Sequence, residues 1–195
     1  AMTSKEHPGE AAPSSRPARR GILARFARNR SGSTAIEFTA LAIPFSLLVF
    51  AILESCISFA GQEVLANTTD DVARLLRTGQ VKAADVTPTS LRTLICDRLS
   101  VIVADDCPGL EIDLREVTTF QEAAALGIPF NSAKDDIITS GFVAKPGKSM
   151  SKNALRVFYR WPIMTDIMRK SMSSLKDNKT LHFSMAVWQN EPFDD

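Results

Sequence analysis

The sequence predicts an α+β protein in which a long N-terminal transmembrane helix continues as a spine packed on a small antiparallel sheet with short helices. Three observations predict it. From Phe38 to Leu53 there is no charge, and the apolar run resumes past Glu54 through Cys56-Ile57-Ser58-Phe59-Ala60, giving roughly 20 or more helical residues, the length a bilayer core of about 30 Å requires. Beyond Gly61 the pattern becomes one-sided, with Val64, Leu65, Val72, Leu75 and Leu76 at helical spacing and Gln62, Glu63, Asp70, Asp71, Arg74 and Arg77 on the other face. Downstream, three separated strand-like stretches with helical patterns between them call for helix layered on sheet.

The first 32 residues form a basic leader. Pro8, Pro13 and Pro17 stand among Ser, Ala, Gly and charged residues with no apolar period up to about Arg20, so this part cannot bury enough surface to offset its ordering entropy, and disorder is expected. Ile22, Leu23 and Phe26, with arginines beside them, suggest a short amphipathic piece on an anionic membrane surface. The chain has a formal charge of +1, yet through Gly32 seven basic residues face only Glu6 and Glu10, which leaves 16 basic against 20 acidic in the remainder. A basic block beside an apolar span stays on the cytoplasmic side. The expected order is therefore a cytoplasmic leader over 1–32, a transmembrane helix over 33–60, its amphipathic continuation over 61–79, and an exported, periplasmic α+β domain over 80–195. A basic tail can also bind nucleic acid; a single aromatic, Phe26, and the span that follows at once argue against that partner.

Within the span, Pro44 removes one backbone hydrogen bond and tends to kink a helix, which membrane helices tolerate. Gly79, just past Arg77, is the expected stop, so the helix from about Ser33 to Thr78 is roughly 70 Å long at 1.5 Å per residue. Thr87-Pro88-Thr89-Ser90 opens a second helix, whose stripe of Leu91, Leu94, Ile95, Leu99 and Ile102 places Cys96 on it. Leu110–Val117 alternates apolar and charged residues, the mark of a strand with one wet face. From Phe120 to about Asn153, Gly127, Pro129, Gly141, Pro146 and Gly147 break up any period, and loop is expected. A second strand spans Ala154–Trp161. After Pro162 the spacing of Ile163, Met164, Ile167, Met168 and Met172 is helical, and a methionine-rich stripe belongs in a core. A third strand runs from Leu181 to Trp188. Cys96 and Cys107 both lie in the exported part, flanking a short loop that a disulfide can close, worth about 2–3 kcal/mol by loop entropy. Cys56 reads as a small apolar residue of the membrane helix.

Little in the chain suggests catalysis. His7 in the leader and His182 at a strand start do not share an environment, and neither has metal-ligand spacing. Gly147-Lys148-Ser149 follows Gly141 with five intervening residues where a phosphate loop needs four, and a strand follows where a helix is required. The expectation is a protein that is not an enzyme, with no cofactor, no metal and no small-molecule substrate. Asn67-Thr68-Thr69 and Asn178-Lys179-Thr180 match the glycosylation pattern by chance. The informative group is Glu37: a carboxylate at the apolar edge of a span is costly unless paired, which makes it a functional hypothesis, with snorkelling to the interface as the bland alternative. A backbone cut between Gly32 and Ser33 would leave a new amine one helical turn from it.

Gly32 followed by four residues and then Glu37-Phe38, at the head of an apolar helix, resembles the processing site of type IV prepilins, in the variant of the Flp pilins and TadE-type pseudopilins of the tight adherence (Tad) system. Pro44 and Glu54, Ala73-Arg74 with Thr78-Gly79, Cys96 and Cys107 around Ile112-Asp113-Leu114, Tyr159-Arg160-Trp161-Pro162 and Asn190-Glu191-Pro192-Phe193 are also similar to the TadE-like family. The resemblance implies a pilin-like fold and a minor pilin or pseudopilin cut at Gly32/Ser33 by a prepilin peptidase. Glu37 would then serve recognition, assembly or both. Implied partners are other pilins or pseudopilins, the inner-membrane Tad platform and membrane lipid. Ordinary signal-peptide cleavage after Ser58-Phe59-Ala60, or lipidation at Cys56, would need a leader well beyond the usual ~15–30 residues. The remaining alternative is an uncleaved, single-pass anchor carrying a periplasmic binding module.

Overall fold

The computed structural model describes residues 32–194, so the expected disorder of the leader and its amphipathic piece lie outside the described residues. The described chain divides into a unit through Phe45 and a unit from Ser46, and helix α1 (Ser33–Arg77) contributes to both. In the first unit Ile36, Phe38, Leu41, Ile43 and Phe45 are all exposed. An apolar surface on every side of a helix belongs in lipid. Among the described residues α1 is the one helix long and apolar enough to cross a membrane, and its most apolar stretch, of mean hydropathy 2.2, is not buried at all.

In the second unit α1 changes character as the sequence predicts. Phe50, Ile52, Leu53, Ile57 and Phe59 are exposed, whereas Leu65, Val72, Ala73 and Leu76 are buried. The helix ends at Gly79, whose φ of +71° lies in the left-handed region that glycine enters without penalty; Gln80 N–H returns to Leu75 O at 3.0 Å. A second demand falls on the same position, because a Cβ there would come within 2.7 Å of the Phe193 ring. Glu191 N–H donates to Arg77 O at 2.9 Å, so residues near the end of the described chain close the end of α1.

Helix α2 (Pro88–Leu99) starts where the sequence places it. Thr87 accepts from Ser90 N–H while the Ser90 hydroxyl accepts from Thr87 N–H, a capping box with proline at the first turn. Leu91, Ile95 and Leu99 are buried; Ile102 falls beyond the helix end. Cys96 is disulfide-bonded to Cys107. Arg92 donates to Leu110 O at 2.6 Å and Cys107 O at 2.8 Å, which satisfies the carbonyls of the turn into the first strand.

Four strands follow: β1 (Leu110–Val117), β2 (Ala144–Lys145), β3 (Lys152–Pro162) and β4 (Lys179–Gln189), in the order β2-β1-β3-β4. The three long strands are the three that the sequence predicts, and β1–β3 and β3–β4 pair antiparallel. The expected antiparallel sheet is present in these three strands, and a short fourth is added to it: β2 pairs parallel to β1, Leu114 opposite Ala144, which makes the sheet mixed. Two residues carry no periodicity, so β2 could not be read from pattern. The 120–153 stretch is not all loop either, for it also holds helix α3 (Phe120–Ala124), capped by Thr119.

Strand alternation gives the sheet two faces. On one, Leu110, Leu114, Leu155, Val157, Tyr159, Trp161 and Trp188 form the main core with α1 and α2. The other face, expected to be wet, is covered by the 120–143 segment: Phe142 stacks on Phe158 at 5.2 Å and Phe158 meets Phe183 at 4.9 Å. Helix α4 (Asp166–Met172) is shorter than the methionine spacing suggests. Ile163 is buried, but Met164 is 82% exposed in the connection before α4, so it is not the core residue expected.

Candidate functional site

The predicted processing residues lie together at the start of α1. Gly32 precedes the helix, Ser33 is its first residue, and Glu37 and Phe38 follow one turn later, so Ser33 and Glu37 occupy i and i+4 positions on one face. Thr39 Oγ donates to Ala35 O at 2.8 Å, satisfying its hydroxyl within the helix. Among the described residues a Cβ at Gly32 would meet nothing within 4 Å, and no left-handed φ sets the residue apart. Among the described residues, neither packing nor backbone conformation asks for glycine there. Cys96 and Cys107, the predicted disulfide residues, lie in the other unit at the α2–β1 turn.

Sequence reasoning left Glu54 without a role, and in the second unit it has one. Its carboxylate accepts from the Met164 and Thr165 N–H groups and from the Thr165 hydroxyl, so the apolar helix is fastened to the β3–α4 connection 110 residues on. One turn up, Ser58 Oγ and His182 Nε2 share a hydrogen bond of 3.1 Å. Gln62 brackets β4 from the next turn, its Nε2 donating to Phe183 O at 2.9 Å and its Oε1 accepting from Phe183 N–H. Trp161 lies between these contacts. Its ring stacks on His182 at 5.0 Å, and a Cβ at Gly61 would fall 2.5 Å from it. Gly61 is therefore a point of close helix–sheet approach. Below this seam α1 and the domain enclose an open groove of about 550 Å³, walled by Phe50, Leu53 and Ile57 on the helix and by Ile102, Val103 and Trp161 on the domain.

His182 is 5% exposed, and burial pushes its pKa down to about 4. The unfolded chain takes up a proton near pH 6.5 while the folded one does not, so stability falls as pH drops through the window from about 6.5 to 4. The full shift corresponds to about 3 kcal/mol. Thermal unfolding of the full chain in detergent should show this loss between pH 7 and 4.5, and His182→Gln should flatten it. The carboxylates act lower: Lys176, Ile137 N–H and Arg160 hold Asp136 at about 2, so its contribution fades only under stronger acid.

The matched segment coincides with this spine. The family model described as TadE-like protein matches residues 32–74. No curated protein and no solved structure matches the chain. Among the described residues no group of His, Cys, Asp and Glu could hold a metal ion. Over residues 32–74, from the glycine of the predicted cut to the last turn of α1, the chain is similar to the TadE-like family, the one that its Gly32–Phe38 motif resembles.

Proposed function

We propose that this protein is a minor pilin or pseudopilin that takes part in assembly or initiation of a Tad (Flp) type IV pilus after its leader is cut between Gly32 and Ser33. The family match associates it with the pilus system, and the observation that carries the finer reading is where that match opens: at Gly32, a glycine on which the described residues make no packing demand. A requirement from outside the fold, such as a prepilin peptidase reading the backbone, accounts for it. The basic leader supports a cytoplasmic amino end and a periplasmic domain.

The cut would place a charged amine on Ser33, one turn from Glu37. In a medium of low dielectric the amine and the carboxylate gain by neutralising one another, within one chain or between neighbours, and the second arrangement draws helices side by side. Nothing in this scheme needs a catalytic group. The chain acts as an assembly subunit whose partners are other pilins and the inner-membrane Tad platform.

The test is the amino-terminal sequence of the mature protein from its own host. Ser33 is expected; a start at Cys56 or Gly61, or an intact leader, would overturn the reading. Glu37→Ala should then abolish piliation while the domain melts as before, and normal piliation would reduce Glu37 to an interface residue.

A further inference from the structure

We propose that the groove between α1 and the domain binds an acyl chain of a phospholipid, drawn from the leaflet on the domain's side, and that the loops around it lie in the bilayer interface. The inference requires that α1 crosses a bilayer; it does not require leader cleavage or a filament.

It starts from a length. Between Glu37 and Glu54 there are 16 uncharged residues, about 24 Å of helix at 1.5 Å per residue, against a hydrocarbon core of about 30 Å. The charge-free part of the span is thus shorter than the core, and such a mismatch is met by local thinning of the bilayer, by snorkelling of flanking residues or by oligomerisation, each of which keeps the apolar residues up to Leu53 in lipid. Phe50 and Leu53, the helix wall of the groove, are therefore at hydrocarbon depth, with Glu54 at the boundary. Because Glu54 is bonded to Met164 and Thr165, the β3–α4 connection is held at that boundary too. The loop carrying Ile102 and Val103 shares the groove with Phe50 and must lie at the same level.

The surrounding surface agrees. Val101, next to this loop, is 86% exposed and Met164 82%, in contact with water only if the domain stands clear of the membrane. At the interface both side chains face lipid, and the Glu54 carboxylate keeps its hydrogen bonds. A groove of about 550 Å³ falls within the ~300–1,000 Å³ of small-ligand sites, and its apolar walls give a hydrocarbon chain what it needs. Lys179 also lines it, ion-paired to the exposed Asp177, and offers an ammonium to the headgroup phosphate.

The chain's two tryptophans permit a direct test. Trp161 lines the groove; Trp188 lies eight residues beyond Thr180, the partner of Trp161 on β4, and donates to Asn190 Oδ1 at 2.8 Å. The full chain carrying Trp188→Phe is reconstituted in phosphatidylcholine vesicles whose acyl chains are dibrominated, a short-range quencher. Trp161 emission should fall at least twofold relative to unbrominated vesicles. Adding Ala104→Phe, which fills the groove, should restore most of it. If Trp188→Phe unfolds the domain, the comparison is made in the wild-type chain, where quenching should level off near half because Trp188 stays bright.

Four outcomes would overturn the proposal. Chains that float with the vesicles yet show no quenching have no lipid in the groove. Quenching that survives Ala104→Phe comes from lipid beside the domain. Quenching that emerges only as the protein is diluted in the bilayer assigns the groove to a second copy. A chain that fails to float loses the membrane anchor, and with it both this proposal and the pilin reading; floating without quenching sinks this proposal alone.

Discussion

Asp113→Ala is expected to destabilise the folded protein by about 3–5 kcal/mol, the effect of leaving a buried cation without its partner. Asp113 is fully buried on β1. One carboxylate oxygen accepts from Arg156 Nη2 at 2.6 Å and Nε at 2.9 Å; the other accepts from Arg115 Nη2 at 2.7 Å and from Val143 N–H at 3.0 Å. Burial alone would raise its pKa, but the hydrogen bonds from Arg115, Arg156 and Val143 outweigh burial and hold it below the ordinary carboxylate value. Arg156, 5% exposed, also donates to Gly127 O at 2.7 Å and lies against the Phe142 and Phe158 rings. Removing Asp113 strands that guanidinium and frees the segment that covers the second face of the sheet. Denaturant unfolding of the full chain in detergent, followed by tryptophan emission, would measure the loss. The double variant Asp113→Leu with Arg156→Leu should recover much of it, since removing both charges avoids the unpaired one; a single variant within 1 kcal/mol of wild type would show that the pair contributes little.

Trp161→Ala should cost about 3–5 kcal/mol, the usual range for deleting a large aromatic from a packed site. The indole lies against α1 at Gly61, stacks on His182 and meets Tyr159 edge-on at 6.1 Å. Its loss opens a cavity along the seam that joins helix to sheet, and it exposes the Ser58–His182 hydrogen bond to water. Two readouts should move together: the midpoint of unfolding falls, and the pH dependence assigned to His182 weakens because the ring is no longer desolvated. A lower midpoint with an unchanged pH profile would mean that His182 owes its burial to other neighbours.

What could be read from the sequence was whatever a short window determines. The membrane helix and its change to a one-sided pattern, the Thr87 cap, the Gly79 stop and the three long strands each rest on local spacing, and the structure has them within a few residues. Pairing was out of reach. Leu-Glu-Ile-Asp-Leu-Arg-Glu-Val reads as a strand with a wet face, and only the register that sets Asp113 opposite Arg156 turns one of its charges into a buried pair. Glu54 and Thr165 are separated by 111 residues, a distance over which no period speaks. His182 looked like a solitary histidine because Ser58 and Trp161, which bury it, come from other elements. In the predicted processing segment the motif was legible from residue types alone, since four residues stand between Gly32 and Glu37 at the start of the helix.

The hydrogen bond from Glu191 to Arg77 and the packing of Phe193 on Gly79 also constrain the order of events during synthesis. The Arg77 carbonyl finds its partner, and Gly79 its ring, only after more than a hundred further residues have been made and moved to the same compartment. Contacts of such long sequence separation form slowly, because loop closure precedes any gain. If the domain is threaded across the membrane from its amino end, the Arg77 carbonyl waits for its partner until residues 191–193 have arrived. Closure of the spine then reports the arrival of residues 191–193.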